Sequence, residues 1–418
     1  MTGSNFGPLE HLAAGIGNLV RYDAAEVPGI FVPVPQAMSS DLAANLPTHV
    51  HPAFVRGTET QNCVLIGKYE CCAVGDGLYP LANMPPASGI GHDDGLARMR
   101  AFGYGAGGMT IAEHGLMVLL AHKRGHNPGG NNAYGADHGD GTAWQWAENP
   151  DAGDKYTFGG HVYECLSPHM TGADNMPAFL PDFLRGADWR GAAYWKESGF
   201  VGGVHAQDAA YEPDGRRGRT LTGSGPAAWY TGGDVRGLCD ENGNVSEAVY
   251  GVRVVGGEIQ ILGDDNFAAD PEADLSANGA WKAILPGTGG DYTLVEPGTA
   301  GTVHYDYTGG ALSLTDAAPA ELPGKSYGCA FAALAIRLAS VPSILYELGL
   351  APISGTNVEG RITVTLTENE CLAWRGGDYT DGEHAGIACI KFLPGRGIPD
   401  DGRDNPEDRY GLRMRMDY

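Results

Sequence analysis

The sequence predicts a mixed α+β fold in which short strands and two main helices are joined by long loops. One segment carries the full set of signals for a capped helix, several short stretches alternate apolar and polar residues, and turn-forming residues are frequent. The 65 glycines and 26 prolines make up about a fifth of the 418 residues, just below the roughly 25–30% that marks a low-complexity chain. With 43% apolar residues, 7 Trp and 19 Tyr, we expect a folded protein with an unusual share of loop.

The clearest helix is predicted over residues 110–125. Thr110 and Glu113 have the spacing of a capping box, and Gly125 follows two basic residues at the other end, as expected for a helix terminus. A second apolar stretch, residues 329–351, predicts helix on both sides of a break at Pro342.

Short strands are predicted elsewhere. Residues 64–70 predict a short strand after Cys63, and residues 252–262 predict a hairpin that turns at Gly256-Gly257. Residues 362–367 and 412–416 alternate apolar with polar side chains, which is typical of half-buried strands. The segments between these elements, residues 126–235 and 263–326, are rich in turn formers, and we expect mostly loop there, the second segment being an acidic insertion.

The charge balance excludes several classes of partner. With 51 acidic against 27 basic residues the net charge is −24, which disfavours nucleic acids and anionic membranes. No run approaches the roughly 18 apolar residues that span a bilayer. The first residues, Met1–Asn5, lack the pattern of a signal peptide. Eight cysteines over this length are too few for a disulfide scaffold, so we expect reduced thiols.

Three motifs, far apart in the chain, resemble the formylglycine-generating-enzyme (sulfatase-modifying-factor) family. They are Leu65-Ile66-Gly67-Lys68-Tyr69-Glu70, the segment Gly237–Glu247 with its Gly243-Asn244-Val245, and Arg375-Gly376-Gly377 with Gly411-Leu412-Arg413. The resemblance implies an elaborated C-type lectin fold: a small antiparallel core, two helices and very long loops. It covers residues 59–418, with an insertion at about 251–370, and leaves residues 1–58 as an N-terminal arm for assembly.

One branch of this superfamily fits better than the enzymes. His51-Pro52-Ala53-Phe54 and the segment Asn127–Gly135 resemble variable proteins of diversity-generating retroelements, many of which are receptor-binding proteins of phage tails. In that branch the stretch after Arg-Gly-Gly is rewritten by adenine-directed mutagenic reverse transcription. The resemblance therefore implies a variable region at about 374–418.

A receptor-binding surface has to tolerate many side chains, so we expect exposed positions on a rigid scaffold. Tyrosine and adaptable polar residues there resemble the chemistry of antibody paratopes. Arg375 and Gly376-Gly377 are expected in the scaffold. The predicted ligand-binding residues are Asp378, Tyr379, Thr380, Asp381, Glu383, His384 and Lys391. An ordinary polar loop is the alternative for residues 378–384.

The resemblance also implies a structural calcium site. Side-chain oxygens would come from Asp240 and Glu247, and backbone carbonyls from Gly243 and Val245, the ligand types that Ca²⁺ prefers. The alternative is a metal-free turn held by its asparagine side chains. Two acidic runs, residues 263–266 and 400–404, lack EF-hand spacing and are interpreted as solvated loops. These runs include Asp264, Asp265 and Asp401.

Catalysis is not expected. The related copper oxidases use two nearby C-terminal cysteines, but only Cys389 follows Trp374 here, and one thiolate does not form that soft site. No redox cofactor is therefore expected. The leading hypothesis is a non-catalytic binder of a host cell-surface protein or glycan, carried on a virion tail after cytoplasmic synthesis and homotrimeric by analogy. A metal-dependent oxidase and a bacterial surface adhesin are the alternatives.

Overall fold

The computed structural model describes residues 8–418 apart from 173, 178–189, 211, 264, 265 and 401. It confirms a mixed α+β architecture. Asp264, Asp265 and Asp401 of the predicted acidic loops lie outside the described residues. The helices of the described part are α1 (Pro8–Gly15), α2 (Ser39–Leu42), α3 (His92–Arg100), α4 (Ile111–Arg124), α5 (Gly191–Tyr194) and α6 (Ser343–Glu347).

The strands are short and numerous, as the alternating stretches predict. They are β1 (Leu19–Tyr22), β2 (Pro28–Pro35), β3 (Val55–Arg56), β4 (Glu59–Thr60), β5 (Cys63–Gly67), β6 (Cys71–Val74), β7 (Gly77–Pro80), β8 (Gly107–Gly108), β9 (Thr142–Ala143), β10 (Lys155–Phe158), β11 (His161–Cys165), β12 (Trp195–Phe200), β13 (Ser246–Val255), β14 (Glu258–Leu262), β15 (Trp281–Pro286), β16 (Tyr292–Val295), β17 (His304–Thr308), β18 (Ala311–Thr315), β19 (Lys325–Ala330), β20 (Ala335–Ile336), β21 (Arg361–Leu366), β22 (Cys371–Gly376), β23 (Gly386–Pro394), β24 (Tyr410–Gly411) and β25 (Met414–Asp417).

The largest sheet carries the C-terminal region in its middle. Its order is β19-β21-β23-β22-β13-β14-β17-β18-β20, with β15, β16 and β24 attached beside this path. The sheet curves so that β17 approaches the edge strand β19, where the ring of Tyr307 stacks on that of Tyr327 at 4.0 Å. Strands of the predicted insertion are therefore part of the main sheet, which makes it larger than the small sheets we expected.

A second sheet joins the two ends of the chain in the order β1-β2-β5-β25-β8. Strand β2 pairs with β5 from Phe31↔Gly67 to Pro35↔Cys63. The segment predicted as a separate N-terminal arm thus contributes two strands to the same sheet as the first strand of the predicted domain. Its role in assembly stays a prediction. A four-stranded sheet, β12-β11-β10-β9, lies within the segment predicted to be mostly loop.

Helix α4 is confirmed with both of its predicted ends. The Thr110 side chain accepts a hydrogen bond from the Glu113 N–H, the Glu113 side chain accepts one from the Thr110 N–H, and Gly125 ends the helix with a left-handed backbone. Ten of its residues are buried, so it fills the space between the curved sheet and α6. The predicted hairpin is also confirmed, because β13 and β14 pair as far as Val255↔Glu258 around Gly256-Gly257.

The prediction of helix over residues 329–351 is wrong for its first half. Lys325–Ala330 is a strand that pairs with β21 along its whole length, from Lys325↔Leu366 to Ala330↔Arg361. After it, Phe331–Ala333 forms a single 3-10 turn and Ala335–Ile336 is strand β20, so the one α-helix of the segment is Ser343–Glu347, after Pro342. The apolar pattern alone did not distinguish a helix from an edge strand, and the long-range partner decided the outcome.

The two largest buried apolar clusters of the described residues join the helices to the sheets. The larger one packs α4 and α6 against the inner face of the curved sheet, and the smaller one packs α3 against the sheet that joins the chain ends. Within the described residues, no helix combines the length and apolar character needed to cross a membrane.

Candidate functional site

The predicted ligand-binding segment follows directly after β22, at one end of the main sheet. Gly376 and Gly377 both have φ near +83°, which non-glycine residues rarely adopt. A Cβ at Gly377 would also lie 2.8 Å from the Cα of Ala385. The glycine pair therefore lets residues 378–385 fold into a tight loop that closes on the start of β23.

The loop does not expose all the side chains that the sequence predicted. Glu383 and His384 are exposed, and Thr380 and Asp381 are partly buried. Asp378 and Tyr379, however, have no exposed surface, and Lys391 is 9% exposed. The expectation of a solvent-facing side chain is therefore wrong for Asp378, Tyr379 and Lys391, because these three form the floor beneath the exposed part of the loop.

Asp378 is the centre of a buried network of ion pairs. Its carboxylate accepts hydrogen bonds from Lys391 Nζ at 3.1 Å, Arg403 Nη2 at 2.7 Å and the Thr380 hydroxyl at 2.6 Å. Arg409 Nη1 lies 3.5 Å from it. Burial raises the pKa of Asp378, but Lys391 and the arginines lower it by more, so the net pKa is well below its usual range. The carboxylate is therefore ionised in the folded protein.

Asp381 shares these cations. Lys391 Nζ lies 2.5 Å from its Oδ2, and Arg403 Nη1 donates to its Oδ1 at 3.2 Å. Its carboxylate also accepts the Asp378 N–H at 2.7 Å. Burial and the neighbouring Asp378 charge raise the pKa of Asp381. Two carboxylates and their shared cations thus fix the conformation of the loop from below.

Tyr379 connects the loop to two segments far away in sequence. Its hydroxyl donates to Glu212 Oε1 at 3.1 Å, and its carbonyl accepts the Tyr134 N–H at 3.0 Å. The Tyr134 and Tyr379 rings meet edge to face at 5.7 Å. On the other side, Arg409 donates to Glu212 at 3.2 Å and lies over the Tyr379 ring. The loop therefore rests against residues near 134 and 212.

A groove of about 590 Å³ opens above this floor. It includes Thr380, Asp381 and His384 of the predicted residues, whereas Asp378, Tyr379 and Lys391 support it from beneath, and Glu383 is exposed beside His384. The groove is lined by Tyr134, Glu212, Pro213, Asp214, Arg216, Thr380, Asp381, His384, Gly402, Arg403, Asp404 and Arg409. The structure thus brings most of the predicted ligand-binding residues together around one concave surface.

Nine of the twelve residues that line the groove were not among the predicted ligand-binding residues. Nothing in the spacing of Tyr134, Glu212 or Arg216 connects them to the C-terminal loop. Arg403 lies in an acidic run that we interpreted as a solvated loop, although its guanidinium group binds Asp378 and Asp381. The available signal was the run Asn127–Gly135, which resembles the retroelement proteins but which we did not place near the loop.

The motifs that carry the family resemblance meet at a buried junction. Glu247 binds Arg375 Nη1 at 2.5 Å and Arg413 Nε at 2.8 Å, and all three residues are almost completely buried. Glu70 accepts hydrogen bonds from the Asn244 side chain at 2.6 Å and from the Val245 N–H at 3.1 Å. Segments separated by more than 100 residues are therefore joined by ion pairs and hydrogen bonds in the protein interior.

The predicted calcium ligands lie at this junction, where the carboxylates of Glu247 and Asp240 already have protein partners. Both carboxylate oxygens of Glu247 already bind guanidinium groups. Asp240 accepts the Gly223 N–H at 2.9 Å, and Gly243 and Val245 belong to the same turn. Among the described residues, no group of three or more His, Cys, Asp or Glu side chains is placed to hold a metal ion. Calcium binding stays a prediction that a binding measurement has to test.

Asparagine side chains hold the turn, as the alternative interpretation expected. Asn244 Oδ1 accepts the Thr220 N–H at 2.8 Å and the Asn131 side-chain amide at 3.0 Å. Asn242 donates to the Pro128 carbonyl at 2.9 Å. The turn is therefore closed onto the segment that begins at Asn127, and this contact positions Tyr134 beside the groove.

The eight cysteines are free thiols. Burial raises the pKa of Cys389 to about 12 and that of Cys371 to about 12 as well. Both thiols are protonated at neutral pH in this structure, whereas metal ligation and nucleophilic attack require the thiolate.

Comparison with known proteins does not assign the chain to a family. It matches none of the protein-family models, and no curated protein shows significant sequence similarity to it. The functional argument therefore depends on the residues, the groove and the motif resemblance.

Proposed function

We propose that this chain is a non-catalytic ligand-binding protein whose C-terminal surface is diversified by a retroelement, and that it binds a host cell-surface protein or glycan. The observation that carries the proposal is the groove, in which Thr380, Asp381 and His384 lie above a rigid floor of buried ion pairs. An elaborated C-type lectin fold belongs to the same proposal, through the three motifs that meet at Glu247.

The arrangement suits a surface that has to change without unfolding the protein. Asp378, Tyr379 and Lys391 make the stabilising contacts and are buried, whereas Glu383 and His384 are exposed. Substitutions at exposed positions away from special contacts usually change stability by less than about 0.5 kcal/mol. Stability and ligand recognition are therefore assigned to different residues of one short loop.

The proposed setting is the tail of a phage. Weak binding at one groove would be strengthened if several copies were displayed together, because each further contact becomes intramolecular. A homotrimer, by analogy with the retroelement proteins, would supply this avidity. The virion partner and the N-terminal segment that would attach to it are part of the proposal.

Sequencing of the gene's 3′ end in the source population tests the proposal. We expect substitutions at codons 383, 384 and 404, whose side chains are exposed, arising at template adenines. Codons 375–381, 391, 409 and 413, which form the glycine turn, the floor and the junction, should be constant. Variation spread evenly over the codons of buried and exposed residues would overturn the proposal of a diversified surface. A 3′ end without variation would instead favour a lectin-like protein of fixed specificity.

Metal analysis separates the proposal from the oxidase hypothesis. The purified chain would be reconstituted with copper or iron and passed through a desalting column. We expect less than stoichiometric retention, since Cys371 and Cys389 are buried with raised pKa values. One tightly held redox metal per chain would contradict a binding-only function.

A further inference from the structure

The groove has two walls of different origin. Thr380, Asp381 and His384, together with residues 402–404, form one wall inside the predicted variable region. Tyr134 and residues 212–216 form the opposite wall and lie outside that region. If the proposed function is right, diversification changes the first wall and leaves the second the same in every variant. We call these the variable wall and the fixed wall.

The fixed wall is a preassembled aromatic and guanidinium surface. The Arg216 guanidinium carbon lies 3.8 Å from the centroid of the Tyr134 ring, and its Nη2 lies 2.6 Å from Asp214 Oδ2. The Tyr134 N–H is held by the Tyr379 carbonyl. A tyrosine held in this way offers contact area at a small cost in conformational entropy. This wall therefore supplies a constant contact to whatever enters the groove.

Most of the charged side chains that line the groove form ion pairs with each other. Arg216 pairs with Asp214, Arg403 with Asp381, and Arg409 with Glu212. A charged ligand would have to compete with these pairs, and an apolar ligand would desolvate them, which is unfavourable in both cases. The groove therefore suits an uncharged ligand with many hydrogen-bonding groups.

Three polar groups remain available at the rim. The Asp404 carboxylate is exposed and has no ion pair among the described residues. The exposed His384 ring and the Tyr134 hydroxyl, both in the lining, can donate or accept hydrogen bonds. Asp404 and the net charge of −24 disfavour an anionic ligand, whereas hydroxyl groups can donate to Asp404 and accept from His384.

The size and shape of the groove point to the end of a chain-like ligand. Its volume of about 590 Å³ falls within the roughly 300–1,000 Å³ of small-ligand sites. A protein partner would instead cover about 800 Å² on each side of an interface. A concave site of this size accommodates a few sugar residues.

We infer that the groove binds the uncharged end of a surface oligosaccharide. The fixed wall holds a sugar ring against Tyr134 and Arg216 in every variant, and the variable wall selects among saccharides through the hydrogen bonds at positions 384 and 404. This inference rests on the proposed function for the location of the ligand surface, but it commits to one class of ligand.

An oligosaccharide array tests the inference with the full chain. The array would carry neutral and anionic oligosaccharides, including those of bacterial surfaces, and titration calorimetry would follow with the best-bound one. We expect binding to neutral oligosaccharides. Tyr134→Ala should weaken it by about 10-fold or more, as loss of one good contact does. Tyr104→Ala, at a 70% exposed tyrosine outside the groove, should have no effect.

A second variant covers the case in which Tyr134→Ala fails to fold. Asp404→Asn changes an exposed side chain and should weaken binding about 3- to 10-fold through the lost charge-assisted hydrogen bond. Binding only to anionic oligosaccharides, binding to none, or binding that neither variant weakens would overturn the inference. The sequencing of the 3′ end tests the proposed function separately. That function would stand if the chain bound a purified host surface protein and no oligosaccharide.

Discussion

At the scale of single residues, the acid that the sequence selects as a ligand contact is a structural anchor. Asp378 is fully buried, and Lys391, Arg403 and Arg409 all interact with its carboxylate. Ionised groups remain stable in a protein interior only when they are paired. The loop therefore depends on Asp378 for its shape, and the proposed ligand contacts belong to other residues.

Asp378→Asn should destabilise the fold strongly. The substitution removes the negative charge but leaves Lys391 and Arg409 buried beside a neutral amide. Loss of one partner of a buried ion pair costs about 3–5 kcal/mol, and we expect the free energy of unfolding to fall by that amount. Urea denaturation followed by tryptophan fluorescence measures it.

The matched control is Glu383→Gln, five positions further along the same loop. Glu383 is exposed, so the same loss of charge should change stability by less than about 0.5 kcal/mol. Equal effects of the two substitutions would show that the buried network does not support the loop.

Residue types in the loop were predictable from the sequence, but their exposure was not. Tyr, Asp and His after Arg-Gly-Gly indicated a binding surface. Burial of Asp378 depends on Arg403 and Arg409, which reach it from 25 and about 30 residues further along. Glu212 lies 167 residues from Tyr379, and no local pattern connects the two.

At the scale of elements, helix α4 depends on its capping box. Thr110→Ala removes the hydroxyl that accepts the Glu113 N–H, which should cost about 1 kcal/mol. Thr110→Ser keeps the hydroxyl and should retain most of the stability. Thermal unfolding followed by circular dichroism separates the two variants, and equal melting temperatures would contradict a role for the cap.

The hairpin of β13 and β14 offers two glycines with different constraints. Gly256 and Gly257 have φ of +58° and +80°. A Cβ at Gly257 would lie 2.7 Å from the Tyr305 carbonyl and 2.6 Å from Pro319, whereas the nearest atom to a Cβ at Gly256 is 3.9 Å away. Only Gly257 therefore combines a left-handed backbone with a close approach.

Gly257→Ala should lower the free energy of unfolding by about 1–3 kcal/mol, because both strain and a clash result. Gly256→Asn should be close to neutral, since Asn-Gly is a favoured pair in a two-residue hairpin turn. Chemical denaturation of both variants checks the order. A Gly256→Asn variant as unstable as Gly257→Ala would contradict the assignment of the two positions.

The elements that could be predicted are those with local signals. Helix α4 has both of its caps in the sequence, and the hairpin has its glycine pair. The end of strand β19, Cys329-Ala330, was predicted as helix because its partner β21 lies about 30 residues away. Buried arginines also escaped prediction: Arg413 and Arg415 alternate with apolar residues as exposed side chains do, yet neither has any exposed surface.

At the scale of the whole molecule, the interior is held by ion pairs between distant parts of the chain. Arg415 on the last strand donates to Glu113 of α4 at 2.9 Å, across 302 residues. Arg413 donates to Glu247 across 166 residues. Such contacts close the sheet that contains both chain ends, and they depend on the ionisation of buried groups. The stability of the fold should therefore depend on pH.

Three buried histidines should make the protein sensitive to acid. Burial lowers the pKa of His51 to about 3 and that of His92 to about 3, and it lowers the pKa of His114 well below its usual value. Unfolded histidines take up protons below pH 6.5, whereas these three stay neutral in the folded protein. Stability is therefore fully present above pH 6.5 and falls as the pH is lowered. We expect a loss on the order of 3–6 kcal/mol between pH 7 and pH 5, measured by urea denaturation at each pH.

The buried carboxyl group of Asp240 acts in the opposite direction and provides the decisive variant. Burial raises the pKa of Asp240 to about 6, so between about pH 4 and pH 6 the folded protein binds a proton that the unfolded chain has released. This group opposes the loss of stability on acidification. Asp240→Asn removes it and should make the loss steeper by about 1–2 kcal/mol, whereas Asp234→Asn, at an exposed position nearby, should leave the slope unchanged. A slope that Asp240→Asn leaves as it is, or makes shallower, would show that this carboxyl group does not hold its proton in the folded protein.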